Sequence, residues 1–375
     1  MTAWEQASRR VERLYAYAFQ SYDQDTRVGR NLQMQQEMSQ VYSNFQSTTS
    51  FMRPEILALG REQIDKYLAA EPQLGQYRMF FDDILRAAPH TLTPAEEKVF
   101  ARMAVLGEAG GTLQSVFRAA DLPFPEVTFS TGDKVRLDAA AYSKWRASPV
   151  KADRDLAFKA FWTAYNQYTR TFATALNAHV QSHVTYKDVR NFPTALDAAL
   201  FDYNIPRNVY SRLLDDVHAN LPTLHRYLKL RQKIMGVKQL GYEDLYAPIV
   251  QQVDLQYTPE QGMQMTLDSF APLGSEYVET LRQGYADRWV DFMPNTGKSP
   301  GAYSNTVYGV HPYQLLNFNG AWDDVSTLAH ESGHSMHSFM SSAKQPYATA
   351  SYSTFVAEVA STLNENLLLH HLLEQ

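Results

Sequence analysis

The stretch TLAHESGHSMHS at residues 327–338 places the strongest constraint on this chain. Residues three and four apart share one face of a helix. Thr327, His330, Glu331, His334, His337 and Ser338 therefore make one polar stripe, with Ala329, Met336, Phe339 and Met340 as apolar surface beside it. Two imidazoles four residues apart can aim nitrogens at one ion, the H-E-x-x-H arrangement. Glu331 is too close to its neighbours to serve conveniently as a ligand, but it is placed to hold a metal-bound water. Gly333 costs a helix about 1 kcal/mol relative to Ala, and it reads as keeping side-chain bulk away from a cavity. The alternative is an ordinary helix that carries two histidines.

A second helical segment, STFVAEVASTLNE at 353–365, supplies the context. Phe355, Val359 and Leu363 are expected to pack, while Glu358, Ser361, Thr362 and Glu365 share another face. A carboxylate on an apolar helix is costly to bury unless it is paired or metal-bound. Glu358 is thus the candidate third ligand of a His2Glu site with one position open for water. Glu365, two turns on, is placed to accept a hydrogen bond from the far nitrogen of a ligand histidine; its plain alternative is a solvated carboxylate.

Most of the chain reads as helix, with apolar residues at helical spacing from 5 to 50 (Val11, Leu14, Tyr15, Tyr17, Ala18) and Pro54 opening a segment that reaches Pro72. Thr93 ahead of Glu96 and Glu97 looks like the cap of a helix over 95–109. The pattern changes near 120: Pro123 and Pro125 break it, and 127–137 reads as a short hairpin around Thr131-Gly132-Asp133. Helix resumes through about 150–190 and again over 208–235. The region 293–320 is rich in Gly, Pro, Tyr and Asn, and Tyr313 to Phe318 reads as a short edge strand. The boundary is placed near 125, giving a helical front domain, 1–125, and a mostly helical domain carrying the site, 126–375.

Composition excludes more than it selects. The chain has no cysteine, so any metal must be held by nitrogen and oxygen, and disulfides and thiol nucleophiles are ruled out. A formal charge of -6 gives no broad reason to bind nucleic acid or anionic membrane. No apolar run reaches spanning length, and the first residues lack a signal-peptide core. These points fit a cytoplasmic protein.

The segments 311–338 and 345–368 together resemble the oligoendopeptidase F branch of the thimet oligopeptidase (M3) family of zinc metallopeptidases. VERLYAYAFQSYDQDT ending at Thr26, FMRPEILAL at 51–59 and RNFPTALDAALFDYNIP at 190–206 resemble it too, so essentially the whole chain is covered. The resemblance implies a mainly α, two-lobed, largely helical fold with a small β component around a deep channel. It implies one zinc per chain on His330, His334 and Glu358, Glu331 as catalytic base, and Glu365 behind the ligands. His337, one turn beyond His334, is a further candidate for that supporting role. The implied reaction is hydrolysis of internal bonds in short unstructured oligopeptides by Glu-assisted attack of a zinc-bound water. Tyr303, Tyr308, His311 and Tyr313 are the candidate substrate contacts, although most of the 23 tyrosines will simply pack. The protein is expected to act as a monomer on peptides.

One departure tempers this. The family associates oxyanion stabilisation with His and Tyr residues on a segment following the third-ligand helix, whereas this sequence stops at NLLLHHLLEQ, 366–375. The chain therefore reads as a partial peptidase sequence, incomplete at the C-terminus and apparently at the N-terminus. The expectation is that residues 1–375 alone bind zinc poorly or hydrolyse peptides slowly. The alternative function is a catalytically impaired or non-catalytic peptide-binding fragment of the same fold.

Overall fold

The computed structural model describes residues 1–107, 109–249 and 255–374. Helix dominates, as the apolar spacing predicts, and two small sheets make up the β component. In chain order the helices are α1 (Thr2–Gln24), α2 (Gly29–Thr49), α3 (Met52–Ala70), α4 (Arg78–Arg86), α5 (Pro94–Gly107) and α6 (Ala109–Val116). The hairpin β1 (Glu126–Thr128) and β2 (Lys134–Arg136) follows, then α7 (Ala139–Trp145), α8 (Lys151–Asn166), α9 (Thr169–Val189), α10 (Ala195–Phe201) and α11 (Arg207–Met235). The remainder contains α12 (Pro259–Ser269), α13 (Ser275–Ala286), β3 (Val290–Asp291), β4 (Tyr303–Asn305), β5 (Tyr313–Leu315), α14 (Trp322–Lys344) and α15 (Thr354–Leu373).

Local chemistry explains several boundaries. Thr93 and Glu96 form a reciprocal capping box at the start of α5: the Thr93 amide donates to Glu96 at 3.0 Å and the Glu96 amide to the Thr93 hydroxyl at 3.4 Å. The hairpin is antiparallel with Val127 opposite Val135, and Gly132 turns it at a φ of 87°. Gly236, left-handed at φ 65°, terminates α11.

The chain divides into two compact units, Met1–Ala88 with Asp254–Gln375, and Pro89–Val253. This does not follow the boundary near 125: the blocks 1–125 and 126–375 mark a change of sequence pattern, whereas packing joins the first helices to the last. Tyr347 donates to Glu12, and Ser299 donates to Asp23 at 2.7 Å, two of the contacts that make this join. The intervening unit holds α5 to α11. Within it Arg154 donates to the fully buried Asp244 carboxylate at 2.9 Å, and Arg231 donates to the Asp244 carbonyl. Arg154 is thus ion-paired, and Arg231 is satisfied by hydrogen bonds to backbone carbonyls.

In the first unit, Leu267, Phe270, Leu281, Trp289, Phe318, Val325, Ala329, Met336 and Leu368 form the main core. A three-stranded sheet lies beside it in the order β3-β5-β4, with β3 parallel and β4 antiparallel to β5. Tyr313 therefore begins the central strand, and the edges are β3 and β4, contrary to the reading of Tyr313 to Phe318 as an edge strand.

Candidate metal centre

α14 carries the histidine stripe. Its start is fixed by Asp324, whose carboxylate accepts the backbone amides of Asn319 at 2.9 Å and Ala321 at 2.8 Å. This satisfies orphan donors and places negative charge at the positive end of the helix. Val325, Leu328, Ala329 and Met336 face the core, which leaves His330, Glu331 and His334 on the side that meets α15 and β4. Two serines on the helix are fully buried because they bind the sheet and its neighbours. Ser335 meets Ser304 and receives Gln314 Nε2, each at 2.8 Å, and Ser332 meets the Tyr285 hydroxyl at 2.8 Å.

α15 lies against α14 at very close range. A Cβ built on Gly333 would fall 2.7 Å from Ser361 Cα and 2.8 Å from the Ala360 carbonyl oxygen. Gly333 therefore makes room for the neighbouring helix and not for a cavity. The inward face of α15 is Ser361, Asn364 and Leu368, with Asn364 donating to the Tyr277 hydroxyl at 3.0 Å. Phe355, Val359 and Leu363 are exposed, the reverse of the expected packing; where α15 meets Gly333, the close approach leaves room only for a small side chain, Ser361.

The crossing brings three ligand-type atoms together. His330 Nε2 and His334 Nε2 are 3.1 Å apart, and Glu358 Oε2 lies 3.4 Å from the first and 3.6 Å from the second. Bonds of about 2.0–2.1 Å in a tetrahedral site require ligand atoms roughly 3.3 Å apart. The donor set thus fits a zinc-sized ion in both chemistry and spacing. Glu358 is about half exposed, so convergence, and not burial, makes it a ligand candidate. Its Oε2 also accepts the Ser361 hydroxyl at 2.8 Å.

Behind the ligands, His330 Nδ1 lies 2.6 Å from Glu365 Oε1. Nδ1 donates to the carboxylate, which leaves the Nε2 lone pair directed toward the cluster. Burial lowers the His334 proton affinity, and the neighbouring His330 lowers it further, favouring the neutral ring that metal binding needs. Glu331 is buried, with Oε2 lacking a protein partner, and the Ser304 backbone on β4 hydrogen-bonds to the carboxyl group. Its pKa is pushed up to about 7, chiefly by burial and despite the opposing pull of His330. Neither Ser304 nor the buried Ser332–Ser335–Gln314 group was marked by motif spacing, since their contacts depend on how β4 and β5 seat on α14.

The remaining candidates lie elsewhere. His337 stacks on Tyr352 with centroids 3.8 Å apart, and burial lowers its proton affinity. Tyr308 donates to the Gln345 carbonyl at 3.0 Å. Tyr303, His311 and Tyr313 line a cavity of about 800 Å3 together with α1 residues, and none of His330, Glu331, His334 or Glu358 lines it. Tyr303 donates to Asp23 at 3.0 Å, and His311 stacks on Trp289.

Residues 145–375 match the model of peptidase family M3. The chain belongs to peptidase family M3. Residues 55–124 match a second model, described as oligopeptidase F, which ends just before the pattern change near 125. Among M3 relatives, the chain is 35% identical over 98% of its length to the group B oligopeptidase PepB of Streptococcus agalactiae, and 35% identical over all of it to the oligopeptidase PepF of Bacillus subtilis. A crystal structure from Chlamydophila abortus superposes with a TM-score of 0.86 at 36% identity over the full chain. That of oligoendopeptidase F from Enterococcus faecium gives 0.66 at 31% identity over 98%. The chain spans 61%, 56%, 62% and 60% of these four relatives, respectively.

Proposed function

We propose that this chain carries the site of a zinc metalloendopeptidase that hydrolyses internal bonds of short, unstructured peptides. The observation that carries the reading is the convergence of His330 Nε2, His334 Nε2 and Glu358 Oε2 beside the buried carboxyl of Glu331. The names of the relatives, oligopeptidases in Streptococcus agalactiae and Bacillus subtilis, support peptides as the substrate class.

His330, His334 and Glu358 would hold one zinc per chain, with Glu365 fixing the His330 ring through Nδ1. When bound, zinc polarises a carbonyl and lowers the pKa of water from 15.7 to about 7. Glu331 acts as general base. Its buried carboxylate takes a proton from water and returns it to the leaving amine. The Ser304 amide holds that carboxyl in place from β4. Among the described residues no strand pairs with the outer side of β4, and with the Ser304 amide on Glu331 the Ser304 carbonyl is left to align an extended peptide there.

The test is turnover of an internally quenched oligopeptide by the zinc-loaded chain and by Glu331→Gln. The substitution should lower turnover at least about a hundredfold while zinc binding persists. Unchanged turnover would overturn the reading, and zinc-loaded protein that binds peptide without cleaving it would favour a non-catalytic role.

A further inference from the structure

Beyond His334, the α14 face continues through Ser338 and Ser342 into a separate cavity of about 490 Å3. Its walls are aromatic: Trp4, Phe80, Tyr308, Tyr347 and Tyr352. Trp4 meets Phe80 with centroids 5.3 Å apart and Tyr347 edge-on at 6.1 Å, and Tyr308 meets Tyr347 edge-on at 5.5 Å. Small residues in the lining, Ser342, Ala348 and Ala350 among them, leave the volume open.

Several of the polar groups around this cavity are engaged, although the buried Thr306 hydroxyl has no partner among the described residues. Glu12, the carboxylate in its lining, accepts the Tyr347 hydroxyl and the Ser8 hydroxyl. Arg9 lies over the Tyr308 ring at 4.8 Å and pairs with Glu5 at 3.5 Å. The Tyr308 and Tyr352 hydroxyls bond to the Gln345 carbonyl and to Ser338. Ring faces and edges make up most of the recognition surface, with the Glu12 carboxylate, bonded to two hydroxyls through Oε1, as the one charged group in the lining.

Two connections tie the cavity to the metal cluster. Ser338 follows His334 by four residues, roughly 6 Å along the helix axis, and Tyr352 stacks on the intervening His337. On the other side, Thr306 lines the cavity two residues after Ser304, whose backbone bonds Glu331; along a strand that is about 7 Å. A peptide paired with the outer edge of β4, its reacting bond opposite Glu331, would carry a flanking side chain to the mouth of the cavity.

We propose that this cavity takes the side chain of a residue flanking the scissile bond and selects an aromatic one. Edge-to-face packing against several rings adds to the gain from burying a large apolar side chain. The proposal rests on the peptidase reading above, so the closing experiment measures binding apart from cleavage.

Heptapeptides of Ala and Gly, each with a single Phe, Lys or additional Ala at one scanned position, are titrated calorimetrically into zinc-loaded Glu331→Gln. Wild-type protein is assayed in parallel for cleavage of the same set. At one position, Phe should bind about ten- to a hundredfold more tightly than Ala or Lys. Ser342→Phe, which fills the cavity, and Ser351→Trp, which blocks its exposed rim, should each abolish that preference. Equal affinities, or a Phe preference that survives both substitutions, would overturn the proposal; cleavage by wild type would then leave the peptidase reading standing. A Phe preference lost in both variants, without cleavage by wild type, would support the cavity and overturn the peptidase reading. Zinc-loaded protein that binds none of the peptides would overturn both.

Discussion

Gly333 on α14 and Ser361 on α15 face each other so closely that a Cβ on the glycine would sit 2.7 Å from the serine Cα. That approach lets Glu358, less than one turn before Ser361, reach the two histidines. Gly333→Ala is therefore expected to be destabilising. The helix would gain up to about 1 kcal/mol in propensity, but overpacking against a backbone costs about 1–3 kcal/mol. Separating the helices should also weaken zinc binding at least about tenfold, measured by competition with a chromogenic chelator. A more stable Gly333→Ala protein with unchanged zinc affinity would contradict the packing account.

Glu365 should matter through His330. Replacing it with Ala removes the acceptor 2.6 Å from His330 Nδ1 and should lower zinc affinity about 10- to 100-fold. Glu365→Gln retains an acceptor oxygen and should lose less. The same competition titration ranks the three proteins, and equal affinities would exclude the orienting role.

The legible parts of the site were those that follow from position along one helix. His330, Glu331 and His334 share a face of α14 by spacing alone, and Glu358 and Glu365 lie two turns apart on α15. The helix orientation was not legible from apolarity. Phe355, Val359 and Leu363 are the larger apolar residues, yet the crossing at Gly333 selects Ser361 and Asn364 for the interior. The fold was readable as mainly helical for the same reason, with the hairpin at 127–137 and the Thr93 cap placed by local chemistry. The union of Met1–Ala88 with the last helices was not, because it rests on contacts between residues more than 270 positions apart, such as Ser299 with Asp23. The central place of β5 likewise depends on its pairing with β3, farther back along the chain.

Ionisation of Glu331 gives a pH signature in the metal-free protein. Its folded pKa is raised from 4.5 to about 7. Between these values the unfolded state has released a proton that the folded state keeps, so the stability contribution falls as pH rises through this window and is lowest above it. The full penalty is on the order of 3 kcal/mol. Glu331→Gln cannot ionise, so its stability relative to wild type should improve between about pH 4 and about pH 8. Urea titrations with the metal chelated measure the difference, and a trend of opposite sign would contradict the burial argument.

Ser335 anchors β4 and β5 to the histidine helix through Ser304 and Gln314. Ser335→Ala leaves buried polar partners unsatisfied and should cost about 1–3 kcal/mol in equilibrium unfolding. Because Ser304 also contacts Glu331, the proposed peptide turnover should fall as well, while zinc affinity changes little. Loss of zinc binding with stability intact would place Ser335 differently.

The central claim is that His330, His334 and Glu358 form one zinc site. Zinc-edge X-ray absorption on protein titrated with one equivalent of metal tests it most directly. The account predicts saturation at one zinc per chain, a nitrogen and oxygen shell at about 2.0–2.1 Å with imidazole scattering, and loss of that shell in His334→Ala. Failure to take up stoichiometric zinc, or an identical spectrum from His334→Ala, would contradict it.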